Sequence, residues 1–115
     1  MARIRTIKPS FWADGAVAAM SRDARLLCIG LISFSDDQGR FVASIPAITG
    51  YIYPHDEVTS RQVRSWLAEV EKAGLISLYE VDGLRYGWFP KYRTHQRISH
   101  PQPSPLPPPQ EVLFQ

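Results

Sequence analysis

The pattern of hydrophobic and polar positions is most regular in residues 59–75, where it has the period of an amphipathic helix. Thr59 is a good capping residue, and Gln62 can reach back to the amide of Thr59, so this pair predicts the start of the helix. Gly74 supplies the left-handed conformation that commonly ends a helix. Apolar residues recur at i, i+3, i+4 and i+7 and predict one buried stripe: Val63, Trp66, Leu67 and Val70.

The opposite face of this predicted helix is small and cationic. At about 100° per residue, the residues that point away from the apolar stripe are Arg61, Ser65, Ala68 and Lys72, with Arg64 on the flank. Because positive charges bracket two small residues, a polyanion could approach the backbone closely. Glu69 and Glu71 lie in the second half, so the N-terminal half is the part that a DNA groove would accept. Taken alone, this face is more simply that of an ordinary surface helix of mixed charge. The rest of the chain must decide between this interpretation and DNA binding.

The residues upstream predict further helices. Residues 9–20 predict a short first helix that is anchored by Phe11 and Trp12. Ser21 caps a second helix, which is apolar nearly all round, so we expect it to be central. Gly30 inside this helix costs about 1 kcal/mol relative to alanine, which indicates that another backbone crosses closely there.

A third helix leads, through a short break at residues 53–55, into the helix described first. Ser44 begins this third helix, and Pro46 is tolerated in its first turn. Four of its residues are predicted to point inward: Ile45, Ile48, Tyr51 and Ile52. Before it, residues 36–39 form a turn and residues 40–43 predict a very short strand. Two helices joined by a short turn, the second with a polar outer face, are the parts of a helix-turn-helix.

After Gly74 the hydrophobic period changes to two, which indicates a β-hairpin. Strands are predicted at residues 76–81 and 84–89, joined by Asp82-Gly83, a dipeptide favoured in two-residue hairpin loops. In this register Glu80 lies opposite Arg85. One face carries aromatic side chains and the other does not: Tyr79, Val81, Tyr86 and Trp88 on the first, and Ile76, Leu78 and Phe89 on the second. Both faces are apolar; we favour the aromatic face as the inward one, with the terminal segments over the other.

These elements together predict an α+β fold. We interpret it as a winged helix-turn-helix with about four helices, a C-terminal β-hairpin wing and a short third strand, covering residues 1–90. Residues 91–109 follow as a basic and then proline-rich linker or tail, which we expect to be extended and stiff rather than packed. Pro105 and Pro108 match the spacing of a proline-helix ligand, although a linker is the interpretation that we favour.

The last residues, 110–115, are interpreted separately. They end in EVLFQ, which resembles the recognition sequence of the picornaviral protease used to remove purification tags. We therefore interpret them as a protease-site remnant and leave them out of the function. On that interpretation, we expect the natural chain to continue beyond Pro109.

Composition narrows the class of protein. The chain has 115 residues, 44% of them hydrophobic, which is enough for one compact domain. Its single cysteine, Cys28, excludes an internal disulfide framework and fits a reducing cytoplasm, and we expect it to be a packed core thiol. No apolar stretch approaches the roughly 20 residues that a membrane span needs, so no membrane partner is expected.

The net charge is only +2, but the cationic residues are unevenly distributed. They cluster at the two ends, around a mildly acidic middle: Arg3, Arg5 and Lys8 at the first end, and Lys91, Arg93 and Arg97 at the second. This distribution is expected if separate elements contact phosphates. Chain ends are also often basic merely because they are solvated, so the charges alone do not choose between the two interpretations.

The sequence contains no residue pattern that indicates enzyme chemistry. The three histidines, His55, His95 and His100, and the single cysteine lack metal-ligand spacing, so no metal is expected. The glycines are isolated, with no phosphate-cradling loop, and Asp36-Asp37 beside Gln38-Gly39 is more simply a turn. We therefore expect no catalytic residues and no cofactor.

Four stretches carry a resemblance to a known family: MARIRTIKPSFW, LISFSDDQGRF, WLAEVEKAGLISLYEVDGLRYGWFP and KYRTHQRISHPQPSPLPPP. They resemble the N-terminal winged-helix domains of bacteriophage and prophage replication-initiation or replisome-organiser proteins, and the resemblance covers essentially all of residues 1–109. It implies binding of double-stranded DNA in phage replication or regulation, in the cytoplasm of a bacterial host.

The DNA hypothesis gives each cation a role. Arg61, Arg64 and Ser65 would enter the major groove, where an arginine typically recognises guanine through two hydrogen bonds worth about 1–3 kcal/mol. Lys72 would contact phosphate or be merely solvated, and Arg85 at the wing would touch the DNA backbone or pair with Glu80. Two arms would follow the grooves: Arg3, Arg5 and Lys8 in one, and Lys91, Arg93 and Arg97 in the other. About five phosphate contacts would give a log–log salt slope near −4 to −5.

Two other functions stay open at this point. The first is a protein-interaction module that acts on a host or phage protein through the exposed part of the hairpin or through a missing C-terminal region. The second is a transcriptional repressor, for which dimerisation on a palindromic site would be the sign. A homodimer is left open in either case.

Overall fold

Six helices and a three-stranded antiparallel sheet are formed by residues 3–109, the part of the chain that the computed structural model describes. The elements are, in chain order, α1 (Pro9–Ala13), α2 (Gly15–Ala18), α3 (Arg22–Phe34), β1 (Arg40–Val42), α4 (Ile45–Ile52), α5 (Ser60–Lys72), β2 (Ser77–Val81), β3 (Leu84–Trp88) and α6 (Tyr92–His95). The strand order is β1-β3-β2, so the first strand joins the outside of the hairpin. The α+β class is confirmed, and the element order is compatible with a winged helix.

The starts of the three long helices are confirmed, because each has the capping side chain that the sequence predicts. The Ser21 hydroxyl accepts a hydrogen bond from the amide of α3 three residues on, and Ser44 does the same at α4. At α5 the full capping box forms: Thr59 Oγ1 accepts from the Gln62 amide at 3.1 Å, and Gln62 Oε1 accepts from the Thr59 amide at 2.9 Å. Gly74, with φ +81°, follows the end of α5.

The single helix predicted for residues 9–20 is wrong. Asp14 has an extended conformation, with φ −68° and ψ 130°, and divides the segment into α1 and α2. Its carboxylate caps α2 by accepting the amides of Ala16 and Val17 at 2.8 and 3.4 Å, which offsets the break. Phe11 packs against the core as expected, but Trp12 is 60% exposed and is not an anchor.

The core lies between α3, α4 and α5 and the near face of the sheet. Its buried members include the predicted stripe of α5, without Trp66, and the inward residues of the other two helices: Val63, Leu67, Val70, Leu27, Cys28, Leu31 and Ile48. Helix α3 is less enclosed than predicted, because Phe34 is 45% exposed and stacks on the half-exposed Tyr51 at 5.1 Å. Gly30 does allow a close approach, but by the side chain of Ile52 and not by a backbone.

The hairpin forms in the predicted register, with Glu80 opposite Arg85. Asp82 and Gly83 have φ +52° and +81°, as a two-residue loop with two left-handed positions requires. Each strand is one residue shorter at its outer end than predicted. The third strand is confirmed at Arg40–Val42, one residue shorter than the predicted range, and pairs antiparallel with β3.

The choice of the inward face of the hairpin is wrong. Leu78 and Phe89 pack with Phe41 against the helical core, and Gly87 between them leaves room for the Phe41 ring to cross the strand. The aromatic face lies on the opposite side of the sheet from Leu78 and Phe41. We define it as the side of the sheet that carries Arg40, Tyr79, Tyr86 and Trp88.

The proline-rich tail covers part of the aromatic face, which contradicts the expectation of an unpacked linker. Residues 101–109 contain no helix or strand, yet Tyr79 donates a hydrogen bond to the carbonyl of Pro107 at 2.8 Å, and Pro109 is buried. Arg40 donates to the carbonyl of Leu106 at 3.0 Å. Local composition gave no indication of the surface that receives these residues. The protease-site remnant predicted at residues 110–115 lies outside the described residues.

Candidate nucleic-acid interface

The outer face of α5 is open to solvent along its N-terminal half. Arg61, Arg64 and Ser65 are all exposed, while Val63 and Leu67 on the opposite side are buried. Across residues 3–109, neither arginine is paired with a carboxylate or with any hydrogen-bond acceptor. The arrangement predicted from the sequence, with cations and a small residue side by side on one accessible helix face, is therefore present.

Helix α5 is held in place by contacts that sequence reasoning missed. Both carboxylate oxygens of Glu69 accept hydrogen bonds from Ser21, one from its amide and one from its hydroxyl, each at 2.8 Å. Trp66 packs against Tyr53 with ring centroids 5.5 Å apart. The charge of Glu69 is thus engaged with the start of α3. No local signal could have revealed this, because the two partners are 48 residues apart.

Arg5 is buried within the fold and does not extend as part of a free arm, which corrects that part of the sequence prediction. Its side chain is only 3% exposed, and its guanidinium donates hydrogen bonds to Asp37 Oδ1 at 3.0 Å and to the Ser35 carbonyl at 2.9 Å. It also lies over the ring of Tyr92, 5.4 Å from the centroid. Because a buried guanidinium needs such partners, Arg5 is a structural residue.

The remaining cations of the two predicted arms are partly engaged with each other's segments. Arg3, with its side chain 40% exposed, lies 3.4 Å from Asp37 Oδ2 and donates to the Ser99 carbonyl at 2.8 Å. Lys8 donates to the Thr94 carbonyl at 3.4 Å, and Arg93 reaches the Gln38 side chain at 3.5 Å. The N-terminal and C-terminal segments therefore lie side by side and do not extend as separate arms.

A buried glutamine joins these two segments. Gln96 is 7% exposed; its side chain accepts a hydrogen bond from the Thr6 amide at 3.0 Å and donates one to the Thr6 carbonyl at 2.9 Å. This pair imitates the exchange of two hydrogen bonds between neighbouring strands. It joins the N-terminal segment that carries Lys8 to the C-terminal segment that carries Lys91.

Four predicted phosphate contacts are exposed: Lys72, Arg85, Lys91 and Arg97. Arg85 sits opposite Glu80 in the register, but the ion pairs of residues 3–109 are only those of Asp37, so this arginine is not neutralised there. Lys8 and Lys91 line a cleft of about 390 Å³ together with Gly74, just past the end of α5. Helix α5 is about 20 Å long. Lys8 and Lys91 lie near its C-terminal end, whereas Arg61 lies near its N-terminal end.

Asp37 is the centre of the contacts that hold the chain ends. A hydrogen bond from the Gln102 amide lowers the pKa of its carboxyl from the ordinary 3.8, helped by the hydrogen bond from Arg5 and the charges of Arg3 and Arg5, while burial opposes the shift. The neighbouring Asp36 accepts from the Ser104 hydroxyl and from the amides of Gln38 and Arg40. The acidic pair is a turn, as predicted, but also the anchor of both termini.

Acid is expected to weaken this anchor in a defined range of pH. Because the pKa of Asp37 is lower in the folded chain, its contribution to the free energy of unfolding is complete above about pH 5 and is lost as the pH falls through the folded pKa. The amide proton of Gln102, followed by NMR, should shift with a midpoint below pH 3.8. A midpoint at or above 3.8 would contradict the arrangement.

The single cysteine and the metal-ligating side chains are distributed as follows in the described residues. Burial raises the pKa of the Cys28 thiol to about 12, so it stays protonated as a packed core group. Within residues 3–109, His, Cys, Asp and Glu nowhere gather in threes that could hold a metal ion. None of the helices formed by these residues is long and apolar enough to cross a bilayer.

Comparisons with known proteins add no identification. A scan against protein-family models, a search of curated proteins and a search of solved structures each found no match for this chain. The resemblance to phage replication proteins therefore stays a prediction from the sequence.

Proposed function

We propose that this chain is a winged helix-turn-helix domain that binds double-stranded DNA, with α5 as the recognition helix. In this assignment α4 and α5 form the helix-turn-helix, the β2–β3 hairpin is the wing, and β1 completes its sheet. The order of helices and strands supports it, since the hairpin follows α5 directly.

The observation that carries the proposal is the exposed outer face of α5. A helix with its side chains is about 10–12 Å across, and the major groove of B-DNA is about 12 Å wide, so a single helix fits if its outer face is unobstructed. Arg61 and Arg64 are exposed at the N-terminal half, with Ser65 one turn beyond Arg61 and the small Ala68 beyond Ser65. Nothing within residues 3–109 competes for their guanidinium groups.

The other cations divide by their accessibility. Lys8, Lys72, Arg85, Lys91, Arg93 and Arg97 are exposed and suited to phosphate contacts. Arg3 would have to exchange Asp37 for a phosphate, and Arg5 is withdrawn from the interface because it is buried. Contacts at both ends of α5 would fix the register of the helix along the groove.

The sequence resemblance implies a role in phage replication initiation or regulation. A transcriptional repressor would use the same helix on an operator. Binding to clustered repeats near an origin would support replication, whereas a dimer on a palindromic site would support repression.

Salt dependence tests the proposal. With about four phosphate contacts from the exposed cations, the logarithm of the affinity should fall against the logarithm of the salt concentration with a slope of roughly −3 to −4. The measurement is a titration of the chain with duplex fragments of its own genome at several salt concentrations. Replacing Lys91 and Arg97 together by alanine should reduce the slope by about 2. A flat salt response would remove DNA as the partner.

A protein-docking function is the second candidate, but on a different surface from the one predicted. The tail covers part of the aromatic face of the hairpin. The stacked pair Phe34 and Tyr51, exposed by 45% and 50%, and the 52% exposed Leu26 leave apolar area on the α3–α4 side. Capture of a defined host or phage protein without nucleic acid, abolished by Tyr51→Ser, would support this candidate.

A further inference from the structure

The tail at residues 101–109 contacts the domain through its carbonyl groups. Side-chain donors on the domain reach three of them: Gln38 reaches the carbonyl of Gln102 at 3.3 Å, Arg40 that of Leu106 at 3.0 Å, and Tyr79 that of Pro107 at 2.8 Å. Two acceptors on the domain complete the contact, with Asp37 taking the Gln102 amide and Asp36 the Ser104 hydroxyl.

The surface beneath the tail has the chemistry of a polyproline receptor. Six of the nine tail residues are prolines, which have no N–H to donate and whose carbonyls need outside donors. Tyr79 and Tyr86 stack beneath this region with ring centroids 5.7 Å apart. Domains that recognise such segments present grooves lined with aromatic side chains. Here the Tyr79 hydroxyl adds a donor to one prolyl carbonyl, that of Pro107.

The contact is also separable from the rest of the fold. The tail forms no strand and makes no ladder of backbone hydrogen bonds with β1, β2 or β3. Each of its hydrogen bonds to the domain has a side chain as one partner. The same is true of the bonds that Arg3 makes with residues 99 and 100 just before it. A ligand held in this way can be exchanged for another of the same chemistry without unfolding the sheet.

We propose that the aromatic face is a binding site for polyproline II segments and that residues 101–109 are its resident ligand. The occupant is this segment itself, bound within the same chain. Burial raises the pKa of Tyr79 to about 12, so its hydroxyl stays a neutral donor throughout the physiological range. The site is independent of α5 and would persist even if the chain bound no DNA.

Competition between a free peptide and the resident tail depends on the effective concentration of the tail at its site. A tethered ligand acts at a concentration on the order of millimolar, so a free peptide of the same sequence competes with the resident tail only near that concentration. When the tail is altered so that it no longer fits, the same peptide should bind at its intrinsic affinity.

The test uses the full chain with an altered tail, carrying Leu106→Ser, Pro107→Gly and Pro109→Ser. The synthetic peptide PQPSPLPPP, titrated by NMR, should bind this variant at least about tenfold more tightly than it binds the unaltered chain. Adding Tyr79→Phe to the variant should weaken peptide binding by about 2- to 10-fold, because one hydrogen bond is lost and the ring is kept. A peptide with every proline replaced by alanine is the matched control and should not bind.

Two results would overturn the proposal. One is a folded tail variant that does not bind the peptide at several millimolar, and the other is equal binding by the variant and the unaltered chain. If the variant does not fold, the unaltered isotope-labelled chain is titrated with the peptide to about 10 mM. Shifts of Tyr79 and Tyr86 together with signals of a released tail support the site, and their absence sinks it.

Discussion

Replacing Arg61 and Arg64 together by alanine is expected to weaken binding to a specific duplex by about 30-fold or more. Each arginine that recognises guanine through two hydrogen bonds contributes about 1–3 kcal/mol, so two of them account for at least about 2 kcal/mol. Both side chains are exposed and alanine is the best helix former, so the variant should keep its fold. The measurement is a fluorescence-anisotropy titration at fixed salt, with circular dichroism as the check on folding.

The matched control replaces the same two residues by lysine. Lysine keeps the positive charge but loses the planar fork that binds guanine through two hydrogen bonds. If α5 recognises bases, this variant should lose discrimination between the specific and a scrambled duplex while keeping the salt slope. If the two arginines contact only phosphates, it should bind nearly as the unaltered chain does. Unchanged affinity of the alanine variant would remove α5 from the interface.

The sequence predicted α5 and the hairpin well because their signals are local. Thr59 and Gln62 are three residues apart and cap the same turn, and Gly74 ends the helix at the predicted residue. Asp82 and Gly83 determine the hairpin loop by their own backbone preferences. Each of these features needs information from only a few neighbouring residues, so a single sequence is sufficient.

The roles of the chain ends could not be predicted from the same kind of signal. In the sequence Arg5 is one more terminal cation, because its partner Asp37 is 32 residues away in the chain. Gln96 gave no signal, because the Thr6 backbone that it binds lies 90 residues away. Charge distribution counts the cations but does not say which of them are already paired. For this reason Arg5 is removed from the candidate site residues, whereas the α5 residues are kept.

Hydrophobicity alone could not predict the inward face of the hairpin, because both faces of the hairpin are apolar. The aromatic face carries the larger rings and on hydrophobicity alone would be the inward one. What decides is Gly87, which lies on the other face and receives the ring of Phe41 from β1. The proline-rich tail then covers part of the aromatic side. A face that the chain covers with its own distant segment looks, in the sequence, the same as a core face.

Replacing Gly87 by alanine is expected to destabilise the fold by about 1–3 kcal/mol. A Cβ at this position would have three ring carbons of Phe41 within 2.9 Å, so something must shift. The ring cannot move away easily, because Phe41 is only 4% exposed and packs against Phe89 with centroids 5.7 Å apart. Urea unfolding followed by circular dichroism measures the change in the free energy of unfolding.

The same substitution at Gly50 is the control. Gly50 lies inside α4 with nothing within 4 Å of an added Cβ, so Gly50→Ala should stabilise the fold by up to about 1 kcal/mol through helix propensity. The opposite signs separate the contact from the general effect of replacing glycine. In a Phe41→Leu background the cost of Gly87→Ala should fall by about 1 kcal/mol or more, because the clashing ring is gone. If the costs of Gly87→Ala and Phe41→Leu add up to the cost of the double variant within about 0.5 kcal/mol, the Phe41 ring is not the cause of the destabilisation.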